Sequence, residues 1–560
     1  MSTAISVLGG VGLFLLGMSV MTTGLKGLAG SGLRTILSKA AATPLSGAFW
    51  GAIVTLIVQS SSATTMTTIG LVSAGVLTFP QGLALVFGAN VGTTGTGWLV
   101  ALIGVRVSLT AAALPMIFVG ALIKLLGRGR VSAAGAALAG FALVLYGLTT
   151  LQQGMGGLAE QLHPADLPAV LGTSWWSGLY GVLVLVVAGL AMTAVMQSST
   201  AAIAVTLSAH YAGAVGLDQA CALIIGQNIG TATSSAMAAI GASSTAKRLA
   251  LAYILFKLIA AVIALVLFPV TTPLMIRASD TIDGVTLLAG YHTAYNVVGV
   301  LVLLPVIQGF TRLVERILPE RGPPLTRCLD PAALLTPVAT LEAVRRTVAR
   351  ALGAMSGSLA TALAAVNSGA SSPSANAMST VEAADALRRA QVFMSEAPGP
   401  PESEDEQQRL TSTLHALDHA LRLAETADEV QLAAPPGGSD DMRAAEVCAE
   451  AMRGLASLAA EVATLPASPE AVAAGPGHAS TSAAGSEKPL HAASAVAQLE
   501  SLVKALGDLR KDHRRATLSS VASGALTADE AIARVDTVRR LEALAHHGWR
   551  AAAHLAGRST

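Results

Sequence analysis

The sequence predicts an all-α, polytopic membrane protein with a helical domain after its last membrane helix. Only 12% of its 560 residues are charged and its mean hydropathy is +0.61, whereas soluble domains carry about a quarter charged residues. The charges are also unevenly placed, because 16 fall within residues 1–310 and 53 fall within residues 311–560. We therefore expect residues 1–310 to lie in the membrane and the remainder to be exposed to water.

The composition argues against several classes of protein. The chain has no basic domain or stripe of Lys and Arg, so we expect no nucleic-acid partner. Its cysteines, Cys221, Cys328 and Cys448, are far apart and form no Cys-x-x-Cys motif, which argues against a disulfide framework or a thiolate metal site. No nucleotide-binding P-loop, His-Glu-x-x-His motif or hydrolytic constellation occurs. We therefore expect a protein that is not an enzyme and that has no organic cofactor.

Six apolar stretches are long enough to cross a bilayer as single helices, since about 20 apolar residues span its hydrocarbon core. The first stretch lacks the basic segment that precedes the apolar core of a signal peptide, so we expect it to remain as a membrane helix. The predicted spans are residues 4–23, 82–103, 107–126, 133–151, 249–270 and 288–310.

Two further apolar stretches, residues 46–77 and 178–216, are each too long for one span, and a polar run interrupts each of them. Backbone that breaks at membrane depth is tolerated only where it faces protein or a water-filled cavity. We therefore predict that both stretches are re-entrant helical hairpins with the polar runs at their tips. The first run is Gln59, Ser60, Ser61 and Ser62, and the second is Gln197, Ser198, Ser199 and Thr200.

The two polar runs belong to an internal duplication. Gln197 minus Gln59 gives an offset of 138 in residue number, and Asn228 minus Asn90 gives the same 138. The first helix also has a counterpart, because Gly147 matches Gly17 at an offset of 130. The predicted repeats are residues 1–130 and residues 131–310, with the final membrane helix in the second.

The loops predict opposite orientations for the two repeats. Four loops carry clusters of Lys and Arg, and such loops face the cytoplasm. All four clusters reach the cytoplasm if the N-terminus is outside and both hairpins return to their side of entry, which inverts the second repeat relative to the first. The two tips then meet near the bilayer midplane, where transporters built from inverted repeats bind their substrate. The clusters contain Lys26, Arg34 and Lys39; Arg128 and Arg130; Lys247 and Arg248; and Arg312 and Arg316.

The polar runs predict a binding site for an anion. Their hydroxyl and amide groups donate hydrogen bonds, and each run leads into a short helix that we expect to begin at Ala63 or at about Ala201. The unpaired N–H groups and the positive dipole end of such a helix favour an oxyanion, especially phosphate. Because neither run contains Lys or Arg, cations bound together with the anion are the simplest source of neutralising charge.

A second pair of runs predicts where those cations bind. Residues 88–94 and 226–231 combine glycines with Asn and Thr, whose oxygens suit a hard cation such as Na⁺. The alternative is that these polar side chains only hydrogen-bond neighbouring membrane helices. The candidate ligands are Asn90, Thr93, Thr94, Asn228 and Thr231.

Taken together, these motifs resemble the sodium–phosphate cotransporter family, in its bacterial branch related to the animal type II cotransporters. The resemblance rests on the paired Gln-Ser-Ser-Ser/Thr runs, on Gly-Ala-Asn-Val-Gly-Thr-Thr and on Gly-Gln-Asn-Ile-Gly-Thr, and it covers about residues 4–310. It implies that Na⁺ drives uptake of inorganic phosphate and that both serine-rich hairpins line the site. Residues 291–296 resemble the family's His…Asn motif, which adds His292 and Asn296, although a satisfied core role for His292 stays equally open.

Lys257 departs from the family pattern, in which His and Asn are typical at the positions of Tyr253 and Lys257. An ionisable side chain inside an apolar helix is a functional candidate, and one hypothesis is that the Lys257 ammonium replaces one Na⁺ ion. The alternatives are that its long side chain snorkels to the cytoplasmic interface near Arg248 or forms a structural ion pair.

The second part of the chain predicts a linker and a helical domain. Prolines mark a linker over residues 311–337, and apolar spacing predicts an amphipathic helix over residues 338–366. Residues 414–422 and 536–542 resemble the PhoU-like domain that is often fused to this transporter branch, which implies a cytoplasmic regulatory domain over residues 338–560. Further helices are predicted at about 379–395, 406–432, 441–464, 492–522 and 527–556.

These observations predict a Na⁺-coupled importer of inorganic phosphate that works by alternating access in the bacterial inner membrane, with its C-terminal domain in the cytoplasm. We expect phosphate, Na⁺ and membrane lipid as its partners, and the sequence leaves homo-oligomer formation open. Two alternatives remain. One is a carrier for another oxyanion, such as arsenate or sulfate, and the other is a phosphate-sensing membrane receptor that signals through the PhoU-like tail.

Overall fold

The computed structural model describes two units, and both consist of helices. The membrane unit comprises Met1–Val72 and Leu77–Glu320, and the tail unit comprises Ser73–Val76 and Arg321–Thr560. No strand occurs within the described ranges, which confirms the predicted all-α class. The described residues are 2–40, 43–104, 110–160, 163–170, 175–240, 242–319, 323–367, 375–397, 399, 404–429, 439–464 and 487–557.

The membrane unit is a succession of apolar helices. Seven helical stretches of the described chain are long and apolar enough to cross a membrane, and six of them lie in this unit. The helices are α1 (Ser2–Ala40), α2 (Pro44–Val58), α3 (Ser61–Ser73), α4 (Phe79–Thr93), α5 (Gly95–Leu99), a π-helical turn (Val100–Gly104), α6 (Thr110–Leu126), α7 (Arg130–Ala159), a 3₁₀ turn (Pro164–Asp166), α8 (Trp175–Met196), α9 (Ser199–Tyr211), α10 (Leu217–Ala238), α11 (Ser244–Ala278), α12 (Gly284–Leu303) and α13 (Ile307–Ile317).

Each predicted span overlaps these helices, but the described part of α6 is shorter than the six stretches long enough to cross, and one of those six stretches is α8, the predicted first arm of the second hairpin. The predicted span 288–310 is wrong at its end, because α12 stops at Leu303, two residues before Pro305, whose nitrogen has no hydrogen for a helix hydrogen bond. The predicted span 107–126 corresponds to α6, which begins at Thr110, and residues 105–109 lie outside the described residues. The two interrupted stretches form α2–α3 and α8–α9.

The duplication in the sequence is matched by duplicated helix packing. Helix α2 packs on α4, and α8 packs on α10. A Cβ atom added to Gly88 would lie 1.8 Å from the Ala48 carbonyl oxygen, and one added to Gly226 would lie 1.9 Å from the Val186 carbonyl oxygen. Both glycines and both contacted residues are 138 apart in the chain. The same close approach of two helix backbones is therefore built twice.

The first helices of the two repeats also pack against each other. A Cβ atom added to Gly17 would lie 2.5 Å from the backbone nitrogen of Val144, and one added to Gly147 would lie 2.5 Å from the backbone nitrogen of Phe14. Because both glycines and both contacted residues match at the offset of 130, the contact is reciprocal, as at a two-fold axis. Further along the pair, Gly10 contacts Leu151 and Gly24 contacts Ala137, so α1 and α7 run antiparallel.

Helix α12 contacts helices of both repeats. It packs against α4 and α5 of the first repeat and against α9, α10 and α11 of the second. Close by, Phe87 on α4 stacks on Phe256 on α11 with ring centroids 4.5 Å apart. This packing positions the polar side chains of α12 between the predicted ligands of the two repeats.

The tail unit forms six long helices among its described residues. The predicted helix over 338–366 is α14, which buries Val344, Val348, Leu352 and Met355 while packing against α15, α16 and α17; it is also the seventh apolar stretch. The first residues of the predicted linker 311–337 belong to α13, which continues to Ile317. The helices are α14 (Pro337–Asn367), α15 (Ala375–Ser395), α16 (Glu404–Glu429), α17 (Ser439–Thr464), α18 (Glu487–Ala522) and α19 (Ala528–Leu555).

Candidate functional site

The two polar runs form chain reversals of the same backbone conformation. We call residues 59–62 the first tip and residues 197–200 the second tip. Gln59 has a φ of 55° and Gln197 has a φ of 51°, and they are the only described non-glycine residues with positive φ. Holding such a residue in the left-handed region costs about 1–2 kcal/mol. Strain of this kind persists where surrounding contacts impose it, most often at functional sites.

Equivalent contacts hold both glutamines in place. The Gln59 side-chain amide donates to the Leu56 carbonyl at 2.5 Å and accepts from the Thr96 hydroxyl at 2.7 Å. The Gln197 amide donates to the Ala194 carbonyl at 2.5 Å and accepts from the Ser234 hydroxyl at 2.8 Å. All three positions of each set are 138 apart. Both ends of each amide are thus engaged within the protein, and the glutamines shape the tips.

Each tip leads directly into a helix that starts earlier than its sequence predicts. Helix α3 begins at Ser61 and α9 begins at Ser199, so the predicted starts at Ala63 and Ala201 are wrong by two residues. The cause is capping. Ser60 Oγ accepts a hydrogen bond from the Ala63 N–H at 3.2 Å, and Ser198 Oγ accepts one from Ala201 N–H at 3.2 Å, which satisfies a first-turn donor and extends the helix back to the capping serine.

The first turns of these helices leave hydrogen-bond donors available. The backbone N–H groups of residues 61, 62, 199 and 200 lie in the first turns of α3 and α9 and have no carbonyl partner within their own helix. Among the described residues, the hydroxyls of Ser61, Ser62 and Ser199 have no hydrogen-bond partner, whereas Ser198 and Thr200 lie 2.9 Å from each other. Ser199 is buried, Ser61 is half-buried and Ser62 is exposed. Each tip therefore offers unpaired N–H and O–H donors at the positive end of a helix.

The predicted cation ligands of the first repeat are buried or half-buried. Asn90 is 2% exposed; its amide nitrogen donates to the Val86 carbonyl at 3.0 Å, while its Oδ1 accepts from no described residue. The hydroxyls of Thr93 and Thr94 donate to backbone carbonyls at 2.8 Å and 2.7 Å. Each threonine oxygen therefore keeps lone pairs for a cation.

In the second repeat, a lysine occupies the corresponding amide oxygen. The Lys257 ammonium donates to Asn228 Oδ1 and lies 5.4 Å from the centroid of the Tyr253 ring. Lys257 and Asn228 are each 2% exposed. The snorkelling interpretation of Lys257 is therefore wrong, because its head group is turned to a buried amide. The Thr231 hydroxyl donates to the Asn228 carbonyl at 2.7 Å.

Helix α12 connects the two sets of ligands. The Thr293 hydroxyl lies 3.0 Å from that of Thr94 in the first repeat. One turn further on, Asn296 Oδ1 accepts from the amide of Asn228 in the second repeat at 3.1 Å, and the Asn296 amide donates to the His292 carbonyl at 2.8 Å. His292 is 3% exposed, and its Nδ1 has no partner among the described residues. Asn296 is thus joined to the predicted site, and His292 lies beside it.

Sequence reasoning missed four side chains that position this site. Thr96 and Ser234 hold the glutamines, and their residue numbers also differ by 138, so extending the repeat comparison beyond Thr94 would have found them. Trp98, whose ring nitrogen donates to Thr293 at 2.9 Å, and Thr293 itself have no repeat partner that marks them. Their contact joins positions 195 apart in the chain.

A comparison with known protein families matches the membrane unit. The sequence model of the Na⁺/Pi-cotransporter family matches residues 13–153 and 177–287, which include both tips. The uncharacterized protein YqeW of Bacillus subtilis (strain 168) is 29% identical over 308 residues, which is 55% of this chain and 96% of YqeW. No solved structure matches the chain.

YjbB of Escherichia coli (strain K12), whose name assigns it a provisional role as an inorganic phosphate export protein, is also similar. It is 30% identical over 362 residues, covering 63% of this chain and 64% of YjbB. The YjbB protein of Salmonella typhimurium is 30% identical over 363 residues, with the same coverage. This chain therefore spans less than two thirds of the length of the YjbB proteins.

Proposed function

We propose, from the match of the membrane unit to the Na⁺/Pi-cotransporter family, that the protein is a secondary active transporter of inorganic phosphate coupled to Na⁺. The family consists of transporters, so the chain is a multi-pass membrane protein and not an enzyme, and it needs no organic cofactor. An ion gradient supplies the energy. The observation that carries the proposal is the duplicated tip, with its unpaired donors at two helix starts.

Phosphate binds between the two tips in this proposal. Its several oxygens accept from the N–H groups at the starts of α3 and α9 and from the hydroxyls of Ser61, Ser62 and Ser199, which have no other described partner. Thr200 and Ser198 complete the second tip. Helix starts suit an anion of this kind because their donors and their dipole both favour negative charge. Gln59, Ser60 and Gln197 keep the tips in shape.

Na⁺ binds beside the phosphate and neutralises it. The oxygens of Asn90, Thr93 and Thr94 are suitable ligands, because Asn90 Oδ1 is unpaired among the described residues and each hydroxyl retains lone pairs. In the second repeat, Thr231 and Asn296 supply further oxygens, whereas Asn228 Oδ1 accepts from the Lys257 ammonium. A multiply charged anion inside the membrane is costly without such countercharge, which makes binding of the ions and the anion interdependent.

Alternating access follows if the two repeats are inverted. The reciprocal, antiparallel contact of α1 with α7 supports inversion, because these helices are equivalent in the sequence and run in opposite directions. In such transporters the repeats rock around a site near the bilayer midplane. We further propose that α2–α3 and α8–α9 are re-entrant hairpins that open to opposite sides. The two hairpins differ in the length of their first arms, which is 15 residues in α2 and 22 residues in α8.

Under an inward Na⁺ gradient a symporter of this kind imports phosphate, and we propose import across the bacterial inner membrane. Export is the second candidate, and the name of YjbB favours it. The tail unit is proposed to be a cytoplasmic, PhoU-like regulatory domain. We expect lipid around the membrane unit, and the formation of a homo-oligomer is compatible with the proposal.

The direct test is phosphate flux in proteoliposomes that contain the full chain. We expect radiolabelled phosphate to accumulate only with an inward Na⁺ gradient. Accumulation of phosphate under an outward Na⁺ gradient would instead mean that phosphate moves in the direction opposite to Na⁺, and it would favour export. Sulfate or arsenate flux in place of phosphate flux would favour a carrier for another oxyanion. Saturable phosphate binding without any flux would contradict transport and favour a receptor.

A further inference from the structure

Lys257 is the only charged side chain that is buried in the described part of the membrane unit. None of the described carboxylates pairs with it. The five acidic residues in positions 1–310 lie near helix ends or in loops. An isolated buried charge is costly, and no carboxylate among the described residues offsets this one. The charge is therefore placed to be neutralised by something that the site binds.

The position of the ammonium is as informative as its charge. It donates to Asn228 Oδ1, and Asn228 is the repeat equivalent of Asn90. Asn90 Oδ1, by contrast, accepts from no described residue. Of two equivalent amide oxygens, one is thus open to a mobile cation and the other is occupied by a cation that is covalently attached to α11.

The occupied oxygen lies close to the second tip. Asn228 and Ser234 are on the same helix, α10, and they are separated by six residues, or about 9 Å of helix rise. The Ser234 hydroxyl holds the tip glutamine, Gln197, at 2.8 Å. Over a distance of this order, a buried positive charge favours an anion at the tip.

We propose that the Lys257 ammonium is a tethered cation that takes the place of one Na⁺ ion in the second repeat. The proposal rests on the proposed function and specifies its coupling. Phosphate is neutralised by mobile Na⁺ at the Asn90 oxygen and by the fixed charge at the Asn228 oxygen. Because the fixed charge stays behind when phosphate leaves, the transporter moves one Na⁺ fewer per phosphate than it would with two open sites.

The test compares Na⁺ and phosphate fluxes in proteoliposomes of the wild type and Lys257→Met. Methionine is one atom shorter than lysine, so the variant leaves the place of the ammonium open beside Asn228. We expect the ratio of ²²Na⁺ to ³²P-phosphate flux to rise by one ion in the variant and to stay unchanged in Lys257→Arg. Lys247→Met, which removes an exposed charge from the same helix, is the matched control and should leave the ratio unchanged. An unchanged ratio in Lys257→Met overturns the proposal.

A second measurement covers a variant that no longer transports. The melting temperature of the purified full chain is recorded against Na⁺ concentration with phosphate held constant, because bound ions stabilise the folded protein by mass action. We expect the dependence on the logarithm of Na⁺ concentration to steepen by one ion in Lys257→Met. An equal slope in the wild type and the variant overturns the proposal. A wild type that binds Na⁺ but moves no phosphate refutes the proposed function instead, and the comparison of slopes still decides the role of Lys257.

Discussion

The hydroxyl of Thr96 should control phosphate affinity although it does not touch the phosphate. Thr96 is 2% exposed and donates to Gln59 Oε1 at 2.7 Å. Thr96→Val replaces the hydroxyl with a methyl group of similar size, so the glutamine that holds the strained tip loses its buried partner. Gln59 is half-buried, so water only partly replaces the lost donor, and an unpaired acceptor costs about 1–3 kcal/mol.

The magnitude follows from that cost and from the symmetry of the site. Each 1.4 kcal/mol is a tenfold change in an equilibrium constant. A loss of about 1.5 kcal/mol in the stability of the first tip's binding conformation therefore raises the KM for phosphate about tenfold. The equivalent change in the second repeat is Ser234→Ala. Because Ser234 is half-buried and Gln197 is exposed, water can replace that hydrogen bond, and we expect an increase of only about twofold.

The assay is Na⁺-driven uptake of radiolabelled phosphate into proteoliposomes, with KM measured for each variant at equal reconstituted protein. Thr96→Ser keeps the hydroxyl and should retain a KM close to that of the wild type. If Thr96→Val also kept the wild-type KM, the tip glutamines would not be held in the way described, and the reasoning from the tip geometry would be refuted.

Three further predictions concern the donors of the tips and the stability of the tail unit. Replacing both Ser61 and Ser199 by Ala should abolish phosphate uptake while leaving expression and the thermal melt unchanged; normal uptake would refute the assignment of these hydroxyls. Asp441→Ala should destabilise the tail unit by about 3 kcal/mol, because Asp441 is 2% exposed and is paired with Arg534 at 2.8 Å. Chemical denaturation of the full chain, followed by tail-specific fluorescence, should show a lower midpoint for the tail unit. An unchanged midpoint would contradict the pairing. Burial and the neighbouring His547 lower the pKa of His419 to about 4, so the folded state favours neutral His419, and this stabilisation is complete above the ordinary pKa of about 6.5 and is lost as pH falls toward 4. His419→Gln should therefore reduce the fall in melting temperature between pH 7 and pH 5. A variant with the pH dependence of the wild type would contradict the assignment.

The parts of the site that could be predicted are those that the duplication repeats. The constant offset of 138 in residue number identifies Gln59 with Gln197 and Asn90 with Asn228. The glutamine pair recurs in the structure with matching backbone angles and matching partners. A repeat makes each local pattern count twice, so even short polar runs stand out against apolar helices.

The parts that could not be predicted depend on contacts between distant residues or on the geometry of a single cap. The helix starts at Ser61 and Ser199 depend on which serine oxygen captures an N–H group, and the composition of the run does not decide that. The contacts of Trp98 with Thr293 and of Lys257 with Asn228 join separate helices. The periodicity of residues along a single helix does not predict such contacts. Pro305 alone does not predict the end of α12, because α11 continues through Pro269 and Pro273.

The central claim is that the two tips together hold one phosphate ion. An experimental structure of the full chain with phosphate and Na⁺ tests it most directly. The claim predicts a single phosphate within about 3 Å of the hydroxyls of both Ser61 and Ser199. Phosphate bound to one tip alone, or tips separated by most of the roughly 30 Å hydrocarbon core, would contradict it.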